Sequence, residues 1–330
     1  MQNERRRVGR SGLEIHPISL GTMTWGRDTD EHEASDMLRS FVDAGGDALD
    51  IAPWHGGGLG PSIVGSLVPP EGRDRLTYIL RSGVTPKSLA GEAWGLGPHG
   101  KGTAVPSGSA GGVGRGALLG QLDRALRDLS TDHVDLWIPQ GPRGSAPPLD
   151  EVLSAMQTAL DSGRARYVGL SHFGVWDTAA ADAALPPGHR LTAVEEEHSL
   201  LNRAAEASFG GALMENGIGL IAHSPLARGV LTGKYRNSTP PDSRAASAHL
   251  RDWVRPYLSP QYTGIVDALI AAADGLERTP AQVALAWTLM QPGVSAAVIG
   301  PRNMRQLLPL LDMDPYLPRE IAAVLSEVSG

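Results

Sequence analysis

Short apolar runs separated by longer amphipathic stretches repeat along the chain. Strand-like runs occupy 17–21, 48–52, 76–81, 134–138, 165–170, 193–197, 218–222 and 297–299, as expected of strands buried on both faces. Between them, 31–43, 116–129, 149–162 and 279–290 carry Leu, Val, Ala and Met at helical spacing. Thr279-Pro280 adds an N-cap followed by a first-turn proline. Strands alternating with helices predict parallel pairing through crossover helices. Eight strand runs predict one closed α/β domain over 1–330, a (β/α)8 TIM barrel preceded by a short N-terminal β-hairpin.

In such a barrel the loops that follow strands carry the chemistry, so two long loops stand out as lids over a pocket. Residues 85–115, rich in Gly, Ser and Pro, follow the third strand run, and residues 236–260, with Trp253 and Tyr257, follow the seventh. For the first of them a disordered surface excursion is an equal reading.

Composition narrows the function. The chain has 330 residues, 41% of them hydrophobic, with 41 Gly, 25 Pro and a net charge of −7. Its one basic cluster, Arg5-Arg6-Arg7, makes no stripe for nucleic acid. No apolar run reaches the length of a membrane span, and the N-terminus lacks a signal-peptide core, so a cytoplasmic location is expected. With no cysteine there are no disulfides, thiolate nucleophiles or Cys-ligated metals. No heptad or large apolar helix face is visible, which leaves a monomer or weak homodimer as the expectation.

The segments RRVGRSGLEIHPISLGTMTWG, GRARYVGLSHF, SLLNRAAE, IAHSPLARGVLTGKY and ALAWTLMQPGVSAAVIGPRNMRQL, in that order, resemble the aldo-keto reductase superfamily from about residue 6 to 311. The resemblance implies a barrel that binds NADP(H) extended across its C-terminal face, without a metal, and that acts on a small carbonyl compound. It also implies catalysis by an Asp, a Tyr, a Lys and a His, the Tyr hydroxyl protonating the carbonyl oxygen as hydride arrives. Here the family pattern DTAxxYG reads Asp50-Ile51-Ala52-Pro53-Trp54-His55-Gly56, the Lys position is Arg81 and the His position is Gln140.

Further positions that the resemblance assigns to the cofactor are altered. The Ser-Asn pair that holds the carboxamide reads Ser171-His172, its Gln partner is Glu195, the ring-stacking Tyr is His198, and the Tyr before SPL is His223. Positions for the pyrophosphate and adenosine are kept: Ser224, Leu226, Gly229 and Leu231, then Gly300, Arg302 and Gln306.

Beside Arg81 and Asp50, His55 is expected to titrate near neutrality and to give or take a proton, although it could simply fill a vacated tyrosine site. Arg81 stays charged and suits an oxyanion or carboxylate, or else ties two strands together through Asp50. Gln140 can position but not relay protons. Trp25, Trp54 and Trp94 read as substrate walls or as core. His55, His172, His198, His223 and Glu195 converge on one cavity in this reading, but their spacing matches no metal motif, and no metal is expected. Three functions stay open: an NADP(H)-dependent carbonyl reductase with His55 as proton donor, a redox-neutral dehydratase, isomerase or cyclase using His55 as acid or base, and a non-catalytic binding protein.

Overall fold

The computed structural model describes residues 4–83, 112–141, 149–209 and 211–330. Among these residues the strands are β1 (Arg6–Arg7), β2 (Glu14–Ile15), β3 (Ile18–Gly21), β4 (Ala48–Ile51), β5 (Thr77–Gly83), β6 (Val134–Gln140), β7 (Ala165–Ser171), β8 (Leu191–Glu197), β9 (Gly219–His223) and β10 (Val294–Ile299). Strands β3 to β10 form a closed parallel barrel in sequence order, with β10 pairing back onto β3 through Ala297 and Ile18. The predicted (β/α)8 barrel and N-terminal hairpin are both present.

The helices are α1 (Glu31–Asp43), α2 (Gly60–Leu67), α3 (Arg115–Asp128), α4 (Leu149–Asp161), α5 (Val175–Ala184), α6 (Ala204–Phe209), α7 (Ala212–Glu215), α8 (Arg251–Val254), α9 (Thr263–Gly275), α10 (Pro280–Leu289), α11 (Met304–Leu311) and α12 (Arg319–Ser329). Asp30 caps α1 by accepting from the Glu33 N–H at 2.8 Å, and the helix buries Ala34, Met37, Leu38 and Phe41, one face of a 3.6-residue period. At α10 the Thr279 and Gln282 side chains close a capping box around Pro280.

The hairpin β1–β2 plugs the N-terminal mouth of the barrel. Val8, Leu13 and Ile15 pack with Ala48, Ile79, Leu136 and Ile138 from the barrel interior. Its turn lies tight against the barrel: a Cβ on Gly9, at φ +57°, would come 2.2 Å from the Gly217 carbonyl oxygen. With that mouth filled, a ligand has access at the opposite end, where the C-terminal ends of the strands carry the altered residues. No helix among the described residues is long and apolar enough to cross a membrane.

Candidate active site

Inward positions at the C-terminal ends of β4, β5 and β8 bring Asp50, Arg81 and Glu195 together. Arg81 grips Asp50 with two hydrogen bonds, Nε to Oδ1 at 3.1 Å and Nη2 to Oδ2 at 2.9 Å. The same Nε lies 3.3 Å from Glu195 Oε1. His55 follows β4 in a 3-10 turn, His55–Gly58, whose entry requires glycine. A Cβ on Gly56, at φ +60°, would fall 1.7 Å from the Trp25 carbonyl oxygen.

The imidazole is held from both sides: Nδ1 is 3.0 Å from Thr22 Oγ1, and Nε2 is 3.2 Å from Arg81 Nη2. The Thr22 hydroxyl donates its one proton to the Asp50 carbonyl. His55 Nδ1 must therefore be the donor to Thr22, leaving Nε2 to accept from the guanidinium. This fixes a neutral tautomer. Burial, with the Arg81 charge behind it, pushes the His55 pKa well below its ordinary value. The near-neutral titration expected from sequence is thus corrected, because the ring is 0% exposed and loses the hydration that would support its charged form.

Two buried carboxyls share one guanidinium. Burial opposes the Arg81 cation, but Asp50 and Glu195 outweigh it and keep its pKa raised. Asp50 is also raised by burial, against the Arg81 charge. Glu195 is pushed up to about 8, by burial first, with Asp50 and Glu196 adding to it and Arg81 opposing. Asp50 accepts two hydrogen bonds and Glu195 accepts none, so Glu195 carries the proton near neutrality. The floor then sums to zero charge. Among the described residues, Arg81 Nη1 has no partner, and the side chain keeps 11% of its surface exposed. Arg81 is the cation that the floor presents.

Above it lies a cavity of about 870 Å³, large enough for a cofactor-sized ligand. At one end are Asp50, Trp54, His55, Arg81, Gln140 and Met23; His172 and His223, edge to face at 5.6 Å, line its side. At the other end are Lys234, Arg244 and Arg305. Burial, together with the Arg244 and Arg302 charges, pushes Lys234 down to about 8. Arg244, half-buried, is pushed down to about 10, by burial first and then by the Arg302 charge. Arg244 donates to the Gly300 carbonyl, its Nε has no partner, and no described carboxylate lies within ion-pairing distance of it or of Lys234.

The loop after β9 forms the wall between the two ends. Arg228 makes a two-pronged pair with Glu197 at 3.1 and 2.8 Å, donates to the Trp253 carbonyl, and lies 4.8 Å from each of the Trp253 and Tyr257 rings. Six non-glycine residues among those described have positive φ, and four of them, His172, Ser224, Ala227 and Arg228, line or adjoin this cavity. Backbone strain concentrated this way marks ligand sites.

The structure gathers Asp50, His55, Arg81 and Gln140 at the floor as expected, and Trp54 beside them. His172, Ser224, Leu226, Gly229, Gly300 and Gln306 line the cavity, while Leu231 is core and Ser171 lies buried next to Glu195 in the β7–β8 register. Arg302 stands behind the wall, 3.9 Å from Asp28, with its N–H held by Gln306.

The expected convergence on the cavity fails for His198 and for Glu195, which is fully buried and outside the lining, and the wall reading fails for Trp25. His198 does not face the cavity: it stacks on Trp287 at 5.5 Å and bonds Glu206, because it begins the turn after β8 and points outward. His223 lines the cavity instead. Trp25 is core, fully buried and outside the cavity lining. Trp94 and nearly all of 85–115 lie outside the described residues, whereas Pro240, Asp242, Arg244 and Trp253 place the 236–260 loop on the cavity. Lys234, Arg244, Arg305 and Arg228 were not singled out from sequence. Lys234 sits in the quoted SPLARGVLTGKY run, which was signal enough to find it.

Comparison with known proteins agrees with this architecture. The family model described as "Aldo/keto reductase family" matches residues 17–314. The uncharacterized oxidoreductase YrpG of Bacillus subtilis is 31% identical over 97% of this chain and 94% of its own length. A probable voltage-gated potassium channel subunit beta from rice (Oryza sativa subsp. japonica) is 30% identical over 98% of this chain and 95% of its own. Its counterpart in Arabidopsis thaliana is 28% identical over 98% and 94%.

Proposed function

The chain belongs to the aldo/keto reductase family, and on that footing we propose that it binds NADP(H) in the 870 Å³ cavity and reduces a small carbonyl compound at Arg81. The observation that carries this reading is the unanswered charge of Lys234 and Arg244. Half-buried cations gathered at one end of a cavity, with Asp242 and Asp28 nearby but no described carboxylate within ion-pairing distance of Lys234 or Arg244, fit the phosphates of a dinucleotide. Lys234, Arg244 and Arg305 would hold those phosphates, with Gly300 and Gln306 as the neighbouring wall.

When bound, NADPH supplies a hydride to a carbonyl carbon. Arg81 would meet the carbonyl oxygen with its free guanidinium N–H groups and stabilise the negative charge that develops there, and the alkoxide would take its proton from solvent water, since a guanidinium does not give one up. Asp50 fixes the guanidinium plane, and His55 Nε2 fixes its outer edge. His55 is a positioning group in this arrangement and not the proton donor, since its one N–H is committed to Thr22. The redox-neutral reading loses its acid for the same reason, and its base because Nε2 accepts from Arg81.

A second reading has specific support. The floor presents a cation and no acidic hydrogen to the cavity, and two of the relatives bear the name of a channel subunit. A cofactor-holding subunit without turnover fits both facts. Calorimetric titration with NADPH, NADH and adenosine 2′,5′-bisphosphate tests the shared premise, and NADPH oxidation with a panel of aldehydes and ketones divides the two readings. Micromolar NADPH binding with turnover supports the reductase, and binding without turnover supports the subunit. Absence of binding at high micromolar NADPH would overturn both.

A further inference from the structure

The Asp50–Arg81–Glu195 cluster has one cation for two enclosed carboxyls, and the geometry is lopsided. Arg81 bonds Asp50 through Nε and Nη2, while Glu195 Oε1 waits 3.3 Å from that same Nε without a hydrogen bond of its own. Beside it on β7, Ser171 carries a buried hydroxyl that makes no hydrogen bond to it. The register partners of Glu195 are Ser171 on β7 and Ile221 on β9. The charged groups that reach it are Arg81 from β5, Asp50 from β4 and Glu196 on its own strand.

We infer that Glu195 is a positioning residue for Arg81. As the neutral acid it leaves the guanidinium on Asp50 with Nη1 toward the cavity, and on losing its proton it takes the Nε–H and draws the guanidinium into the barrel. The proton leaves to solvent, and no bond other than O–H is broken. An ionised carboxylate in an enclosed space must find a cation, and Arg81 is the one within reach. The Nε–H has a single hydrogen, so Asp50 loses what Glu195 gains. Burial and the Asp50 charge place the change near pH 8, where a modest rise in pH switches the cation that faces a ligand. This coupling needs no cofactor and stands apart from the NADP(H) reading.

The test is NMR of the ligand-free full chain between pH 6 and 9.5, with 13C in the glutamate carboxyls and 15N in the arginine side chains. One glutamate carboxyl should titrate with a midpoint near 8, and the Arg81 Nε signal, identified by its loss in Arg81→Lys, should shift with that same midpoint. In Glu195→Gln both transitions should vanish. Two results overturn the inference: no glutamate titrating above pH 6, or an Arg81 Nε signal that stays fixed while Glu195 titrates. The wild-type pair of curves decides the matter even if the Gln variant fails to fold.

Discussion

At the floor of the cavity each charge has a partner, whereas at its far end Lys234 and Arg244 crowd together with no paired carboxylate. The floor is a closed network: Thr22 holds His55, His55 holds Arg81, Arg81 holds Asp50, and Glu195 stays neutral beside them. The far end is an open one that an anion would complete. A closed network contributes to the fold's stability, and an open one is maintained at a cost to the unliganded protein. The two ends should therefore answer to mutation in opposite ways, the floor mainly in stability and the far end mainly in binding.

The largest effect is expected at the floor. Arg81→Met leaves Asp50 and Glu195 buried with no cation, a loss of about 3–5 kcal/mol by analogy with broken buried pairs, offset in part if both take up protons. Urea unfolding at pH 7 measures it. A change under about 1 kcal/mol would mean that the floor is not the closed network described.

At the far end, Lys234→Met should weaken NADPH binding by about 10- to 100-fold, roughly 1.4–2.8 kcal/mol. The unliganded protein should meanwhile hold or gain stability at pH 7. The sign follows from Lys234, whose pKa is lowered to about 8. Folding disfavours its charged form, and that penalty is present below about pH 8 and fades above the ordinary lysine pKa. Calorimetry and thermal melts of the same sample check both halves, and a variant that loses stability with unchanged affinity would reverse the assignment.

Much of the fold was legible because strands buried on both faces leave continuous apolar runs. All eight runs correspond to barrel strands, though β8 and β10 begin earlier than their apolar cores because Thr192 and Ser295 interrupt the pattern. Helix α5 was missed since its alanines blur the period, and α11 carries an internal Pro309. The site was legible as a set of positions but not as a set of charges. Sequence placed His55 beside Arg81 and Asp50, yet its tautomer depends on where the Thr22 proton goes, and Thr22 lies 33 residues away. His198 and Trp25 show the same limit. Which way a side chain points at a strand end is decided by the turn that follows, and a motif does not encode it.

A smaller effect separates the His55 ring from the charges around it. Its pKa is lowered well below 6.5 in the folded chain, so below pH 6.5 the unfolded state binds a proton that the folded state refuses. Stability is lost as pH falls through that window, by about 1.4 kcal/mol per pH unit for one such group. His55→Phe removes this share, while His16 and His198, also lowered by burial, keep theirs. Between pH 6.5 and 5.5 the difference in unfolding free energy between variant and wild type should move by about 1 kcal/mol in favour of the variant. A pH-independent difference would mean that His55 is protonated in the fold, which would restore it as a candidate acid.

The smallest effect belongs to Arg305, and it asks how far the open network extends. Its side chain is 83% exposed and pairs with Asp242, itself 60% exposed, at 3.6 Å. An exposed pair of this kind contributes little to stability, so Arg305→Ala should change the unfolding free energy by less than about 0.5 kcal/mol. Its contribution to a phosphate is screened in the same way, so NADPH affinity should fall only about threefold at low ionic strength and less as salt rises. Lys234, half-buried and without an ion pair, should keep more of its effect at the same salt. Titrations of both variants across salt then separate a half-buried cation that is screened less from a surface cation that is screened fully. Equal salt sensitivity in the two would place the phosphate-binding end at the rim of the cavity instead of inside it.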